Sequence, residues 1–316
     1  MAKALKTIVT KGVTGLFAAA AVVIGATHLL GNDRAGAFQA TEPGTIDLAS
    51  ARIEDLPRPA ETAPIPAEAL LPGKPAPSMP KRPVAVAPPA ADCTPALSAT
   101  LLGGATVRLT LAAPCDAGAR VEMRHEGLIF DVVTDVNGGV SVDVPALARI
   151  AGFEATVAGE TLKTIAALPD FDSYARVALQ WAGESGLQIH ALEFGAGHGD
   201  EGHVWQDAPG SSLRAVRARG GFLARLGDDS LRDGRMAEIY VFPAALMQRD
   251  GTVRLSVEAR VNAFSCGKSV EGQVMQPGDD GRLQTTLLTL EIPDCDAVGD
   301  ILVLKNLLRD MKIASN

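Results

Sequence analysis

Three of the chain's five histidines fall within fourteen residues, in the pattern His190-x-x-Glu193, His198-Gly-Asp200-Glu201-Gly-His203 and then Trp205. Imidazole and carboxylate are suitable donors for zinc and its transition-series neighbours. A strand that turns back through a Gly-rich loop would bring His190 and Glu193 toward His198 and His203. The candidate metal ligands are therefore His190, Glu193, His198 and His203, and a divalent ion is the only cofactor indicated. The spacing fits neither HExxH nor HxxEH, and for any metal held there binding is expected ahead of metal-dependent hydrolysis. Strand alternation over residues 187–194 places His190 and Leu192 on one face and Glu193 on the other, which works against a four-ligand site. The favoured reading of the segment is therefore a polar loop with hydrogen-bonded histidines, with the metal site as the alternative.

Other chemistries find less support, and no catalytic residue is assigned. Ser211 and Ser212 follow Gly210 without a GxSxG elbow, and Ser265 precedes a cysteine expected in a disulfide. The run from Gly195 to Gly199 lacks the Lys-Ser/Thr pair of a P-loop. Arg214, Arg217, Arg219, Arg225, Arg232 and Arg235 form a basic stretch interleaved with Asp228, Asp229 and Asp233. This reads either as solvated surface or as a contact for an acidic partner. Arg214, Arg217, Arg219, Arg225 and Trp205 are the candidate partner-binding residues. Glycan binding through Trp181 or Trp205 is a weaker option.

These residues need strands to position them. Residues 93–316 are long enough to build a core, and two β-rich domains are expected, at 93–170 and 171–316. Alternating segments predict strands at 105–111, 120–124, 128–134 and 140–144, a small β-sandwich. Asn137-Gly138 between β-branched runs predicts a hairpin there. Its Thr134-Asp135-x-x-Gly138 pattern looks like the hairpin of immunoglobulin-like and transthyretin-like accessory domains, and no further oxygen ligands follow that would suit calcium. Further strands are predicted at 176–181, 187–194, 236–242, 253–261 and 283–292. Ile301, Leu302, Leu304, Leu307, Leu308 and Met311 recur at three and four, which predicts an amphipathic C-terminal helix, packed on its own sheet or docking a partner.

The four cysteines form two local pairs, Cys93 with Cys115 and Cys266 with Cys295, and no CxxC. Two structural disulfides in an oxidising compartment are expected, although four cysteines permit three connectivities. The chain carries a formal net charge of −8, with nine basic and eight acidic groups in residues 1–92 and the acidic excess beyond. That balance argues against nucleic acid as a partner.

Residues 12–32 contain no Asp, Glu, Lys or Arg and follow Lys3, Lys6 and Lys11. Such a run spans a bilayer as a helix with its N-terminus cytoplasmic. Residues 1–37 thus read as a cytoplasmic stub and membrane anchor. A cleaved signal with Ala35-Gly36-Ala37 as its cut is the competing reading. His28, near the outer end of the span, is either a functional intramembrane group or a neutral ring at the headgroups. Residues 41–92 hold twelve of the twenty prolines, the mark of an extended linker, with PxxP spacings that would also suit an aromatic groove.

Taken together, the segments Val177-Ala178-Leu179-Gln180-Trp181, His190-Ala191-Leu192-Glu193-Phe194-Gly195-Ala196, Gly202-His203-Val204-Trp205, Gly221-Phe222-Leu223 and Asp294-Cys295-Asp296-Ala297-Val298-Gly299-Asp300 resemble a group of alphaproteobacterial membrane-anchored envelope proteins labelled "translocase". The resemblance covers most of residues 90–316. It implies an inner-membrane, single-pass protein with its bulk in the periplasm, and not a transporter, since one apolar span forms no translocation path. The expected function is a membrane-tethered adaptor that recruits or scaffolds an envelope or inner-membrane protein, with the metal site as the alternative. The expected fold is mainly β: a transmembrane helix, a Pro-rich linker, a small immunoglobulin-like sandwich, and a second β-rich domain with a C-terminal helix.

Overall fold

Alternation of buried and exposed residues at period two runs through most strands of the computed structural model, which describes residues 92–278 and 280–315. The expected anchor, cleavage site, His28 and Pro-rich linker lie outside the described residues. Among the described residues no helix is long and apolar enough to cross a membrane.

The first seven strands are β1 (Ala96–Leu102), β2 (Thr106–Ala112), β3 (Arg120–His125), β4 (Leu128–Val133), β5 (Gly139–Pro145), β6 (Ile150–Val157) and β7 (Glu160–Ala167). They form two antiparallel sheets, ordered β1-β2-β5 and β4-β3-β6-β7. Val107, Leu109 and Leu111 of β2 meet Val121 and Met123 of β3, Phe130 of β4 and Phe153 of β6 in one core. The expected hairpin at Asn137-Gly138 is corrected by this topology, because β4 pairs with β3 while β5 pairs with β2. The turn is nevertheless well made: Oδ1 of Asp135 accepts the backbone N–H groups of Asn137 and Gly139, each at 2.8 Å. It carries the chain from one sheet to the other, a choice that distant strands decide.

The remaining elements are β8 (Ala175–Ala182), β9 (Leu187–Glu193), β10 (His203–Val204), the short helix α1 (Ser212–Val216), β11 (Phe222–Leu226), β12 (Arg235–Phe242), β13 (Gly251–Arg260), β14 (Ser269–Pro277), β15 (Leu283–Glu291), β16 (Ile301–Leu304) and β17 (Met311–Ile313). A third sheet is ordered β11-β12-β8-β14-β15. A fourth is ordered β10-β9-β13-β16, with β17 also paired to β13. The central strands β8 and β12 are buried along nearly their whole length. Their two faces serve different cores: Ala178, Ile239 and Val241 join the first, while Val177, Leu179 and Tyr240 join a second built with the fourth sheet. Near-continuous apolar runs such as Ile239-Tyr240-Val241-Phe242 reflect that double burial.

The expected C-terminal helix is absent and must be corrected. Ile301–Leu304 and Met311–Ile313 are strands that occupy successive parts of one edge of β13. Leucines at mixed spacing fit either period, and the open edge of β13 selects the extended form; Asn306, at a φ of 63°, turns the chain between the two strands. The disulfides pair as expected, Cys93 with Cys115 and Cys266 with Cys295. Each closes a short loop worth about 3–4 kcal/mol in the chain-entropy account.

One buried polar residue ties the second sheet together. His125 is 1% exposed. Its Nδ1–H donates to the carbonyl of Gly152 at 2.9 Å, its Nε2 accepts the N–H of Leu147 at 2.7 Å, and the ring stacks on Phe153. Only the neutral ring can do both, and burial holds its pKa below the usual 6.5. The stability it contributes is complete above that value and is lost as the pH falls below it, because the unfolded chain then binds a proton that the buried ring refuses. Urea midpoints should therefore drop between about pH 7 and about pH 5, and His125→Gln should flatten part of that dependence. An unaltered slope in the variant would exclude His125 as a cause.

Candidate metal centre

The register of β9 on β13 sets His190 opposite Ser256, Leu192 opposite Arg254 and Gln188 opposite Glu258. Even-numbered residues of both strands thus share one face, and odd-numbered apolar residues face the core. Strand β10 pairs His203 with Leu192 and adds that histidine to the same face. Between them the chain reverses through Phe194, Gly195, Gly199 and Gly202, all at positive φ. The loop is pinned where Asp200 accepts the N–H of Gly197 at 2.8 Å and the N–H of Glu193 donates to the carbonyl of Gly202 at 2.9 Å. This places His198 over the sheet.

Donor atoms of His190, His198 and His203 lie within 4.8 Å of one another. Nδ1 of His190 and Nε2 of His203 are 2.8 Å apart, and Nε2 of His198 reaches Oε1 of Glu258 at 2.9 Å. Nε2 of His190 lies 3.6 Å from the other Glu258 oxygen. The N–H of Gly199 donates to Nδ1 of His203, so the neutral ring carries its proton on Nε2 and donates it to His190. His190 then points its own Nε2–H at Glu258. A hydrogen-bonded chain thus runs from the backbone N–H of Gly199 through His203 to His190, and Glu258 lies 3.6 Å beyond it as an electrostatic neighbour.

Trp205 covers it, its ring 5.4 Å from that of His203 and 5.2 Å from that of His190. His190, His203 and Glu258 are buried, while the side chain of His198 is 57% exposed. Burial pushes the pKa of His190 down to about 4, against the pull of Glu258, and burial with the nearby His198 also lowers His203. Both rings are therefore neutral near pH 7, the form that binds metal. His198 and Glu258 also line a cleft of about 1200 Å³, through which the cluster opens.

Of the four expected ligands, the structure brings together the three histidines and excludes Glu193. That carboxylate projects to the opposite face, where it accepts from Arg214 at 2.8 and 3.1 Å, from the hydroxyl of Tyr240 at 2.8 Å and from the N–H of Gly221 at 2.7 Å. Burial, and then the Glu193 charge, push the Tyr240 hydroxyl well above its usual pKa. Glu258 is the carboxylate among the histidines instead. Its place on the polar side of the expected strand 253–261 was legible, but the β9–β13 register that sets it beside His190 was not.

The arginine stretch is likewise reassigned. Arg214 pairs with Glu193, Arg225 with Glu238 at 3.2 Å and Asp229 at 2.9 Å, and Arg235 with Asp131 at 2.7 Å and with Glu122. Arg232 lies over the ring of Phe264. Arg217 and Arg219 are exposed. Trp181 is buried in the second core, and Ser211 caps α1 by accepting the N–H of Arg214.

The chain matches no known protein family, and no curated protein is detectably similar to it.

Arg214→Ala would leave Glu193 buried beside Tyr240 without its cation. The cost should be about 3–5 kcal/mol, readable in urea denaturation. A loss under about 1 kcal/mol, the size of a surface pair, would contradict the buried-pair account.

Proposed function

We propose that this is a membrane-tethered periplasmic protein that binds a divalent transition metal ion through His190, His198, His203 and Glu258. The observation that carries the reading is the convergence of three imidazoles and one buried carboxylate on one sheet face, with two of the rings held neutral. Tetrahedral zinc with Zn–N bonds of about 2.0–2.1 Å needs donor atoms roughly 3.3 Å apart, so binding requires the exposed His198 to move inward and His203 to give up the bond from Gly199, shift its proton off Nε2 and turn that lone pair to the ion. Three nitrogens and one oxygen suit zinc, copper(II) or nickel rather than calcium or magnesium. The role is binding, with the cleft providing entry.

Two disulfides fit an oxidising compartment, and the apolar segment 12–32 and the Pro-rich segment 41–92 fit an anchor and tether. In this reading the sheets of residues 96–167 are the immunoglobulin-like accessory sandwich. The adaptor reading shares this topology, but two surfaces that would have served it have other duties. Residues 301–313 pair with β13, and Arg214, Arg225 and Arg235 face internal carboxylates. The metal reading therefore takes precedence.

Titration calorimetry on the chelator-stripped full chain should give one zinc or copper site per chain. His203→Ala should abolish it, and Glu258→Gln should weaken it by about 10–100-fold as ligand or supporting carboxylate. Glu193→Gln should leave it unchanged. No uptake by the wild-type chain, or equal losses from Glu193→Gln and Glu258→Gln, would sink the reading.

A further inference from the structure

Strand β15 is the free edge of the third sheet; among the described residues its ladder is with β14 alone. It runs Leu-Gln-Thr-Thr-Leu-Leu-Thr-Leu-Glu, nine residues without Pro, Gly or any charge before Glu291. Thr285, Thr286, Leu287 and Thr289 are exposed, Leu287 to 74%. Free edges invite strand addition, and proteins usually blunt them with charge, proline, short length or a cover.

The other edges here are blunted. Strand β7 carries Glu160 and Lys163, and β5 carries Asp143 and ends at Pro145. Strand β4 gives the N–H of Ile129 to the side chain of Gln180. Strands β10 and β16 are two and four residues long, and Phe222 of β11 bridges to Gly210. The uncharged β1 lies against β7 of the facing sheet. Strand β15 has none of these protections over its first eight residues, its one charge being the terminal Glu291.

We propose that β15 is a homodimerisation edge, on which two copies of the chain pair antiparallel about Leu287 and join their third sheets into one. The occupant follows from the strand's own symmetry. Centring a two-fold axis on Leu287 sets Leu287 opposite its twin, Thr285 opposite Thr289, Thr286 opposite Leu288 and Gln284 opposite Leu290. The three pairings nearest the axis are apolar or hydroxyl and stabilise an antiparallel ladder, while the outer Gln284–Leu290 pairs are neutral. The same register places Glu291 opposite Leu283, so the two Glu291 carboxylates sit at opposite ends of the ladder, about 27 Å apart at 3.4 Å per residue. It also brings the exposed Arg282 to within one position of the other copy's Glu291 at each end. On a chain with a formal net charge of −8, a second copy meets this uncharged strand without repulsion along the seam. The pairing is independent of the metal site.

The test places single cysteines on β15 in the full chain, whose native cysteines are all in disulfides among the described residues, and treats each variant with a short bis-maleimide. Leu287→Cys should crosslink to a dimer with about tenfold higher yield than Leu283→Cys, whose twins lie about 27 Å apart, and a mixture of Leu283→Cys with Glu291→Cys should crosslink heterotypically. In sedimentation of the otherwise native chain, Leu287→Lys should convert dimer to monomer with an unchanged circular dichroism spectrum. A monomeric Leu287→Cys overturns the proposal, as does equal self-linking by Leu283→Cys, which would report random collision or another register. Crosslinking of Leu287→Cys in cells to a different protein in place of its twin would assign the edge to that protein and also overturn it.

Discussion

Three carboxylates buried at the margins of the third sheet set the terms for the rest of the molecule. Asp131, Glu193 and Glu238 are each less than 5% exposed, and each meets an arginine drawn from residues 214–235. Burial favours the protonated form of a carboxyl group. At Asp131 the opposing hydrogen bonds win: Arg235 and Arg120, with the backbone N–H of Arg235, overcome burial and bring the pKa down to about 2. At Glu238 burial wins. The N–H of Ile189 and one arginine hold it, yet it is pushed up to about 7. The difference lies in the number and aim of the donors and in depth, since Glu238 lies far deeper in the protein than Asp131, although neither is exposed. A buried ion pair is weak evidence of net stability, but removing its cation is costly, and that asymmetry fixes where the chain from α1 through β12 must run.

Strand β9 shows how one segment can build two unlike sites. Its even positions send His190 toward the cleft, where Glu258 is matched by imidazoles, and its last residue, Glu193, turns inward to a guanidinium. The first site keeps neutral, lone-pair donors within reach of solvent, while the second locks an ion pair between sheet and helix. A Cβ on Gly220 would overlap both the Arg214 guanidinium and the Glu193 carboxylate, so the loop after α1 must bring bare backbone to that pair. The sorting into faces is the ordinary consequence of a two-residue period, and it assigns chemistry as firmly as it assigns burial.

Local information in the sequence was enough for much of the fold and for part of the site. Strands such as 187–194 and 236–242 and both disulfide pairs were legible because alternation and short spacing are properties of single segments. Asn137-Gly138 announced a turn correctly but not its partners, since which sheets the flanking strands join depends on residues far away. The leucines after residue 300 suit either period, and the open edge of β13 resolves them. Several strands carried no strong signal: β6 and β7 are interrupted by Gly and charge, and β14 holds Gly272 at its centre. The basic stretch looked like a surface because the carboxylates that neutralise it include Asp131, 104 residues away in sequence, and Glu122, farther still. Glu258 was missed as a site residue for the same reason, since it becomes a neighbour of His190 only through the register between two strands.

That register also explains how the histidine cluster divides its labour. Strand β13 is held on one side by β9 and on the other by β16 and β17, with Asp310 accepting the N–H of Leu255 in the gap between those two short strands. Glu258 therefore sits on a strand fixed along both edges, and His190 and His203 sit on strands paired to each other through β9 and β10. His198 alone projects from a loop, between Gly197 and Gly199. Groups on strands hold their geometry better than groups on loops. Two imidazoles and a carboxylate thus form the fixed part of the cluster, and the remaining imidazole, exposed at the mouth of the cleft, is the part that an ion, in the proposed reading, would adjust. In the proposed metal reading, the selectivity of the centre would rest with the strands, and its rate of capture with the glycine loop.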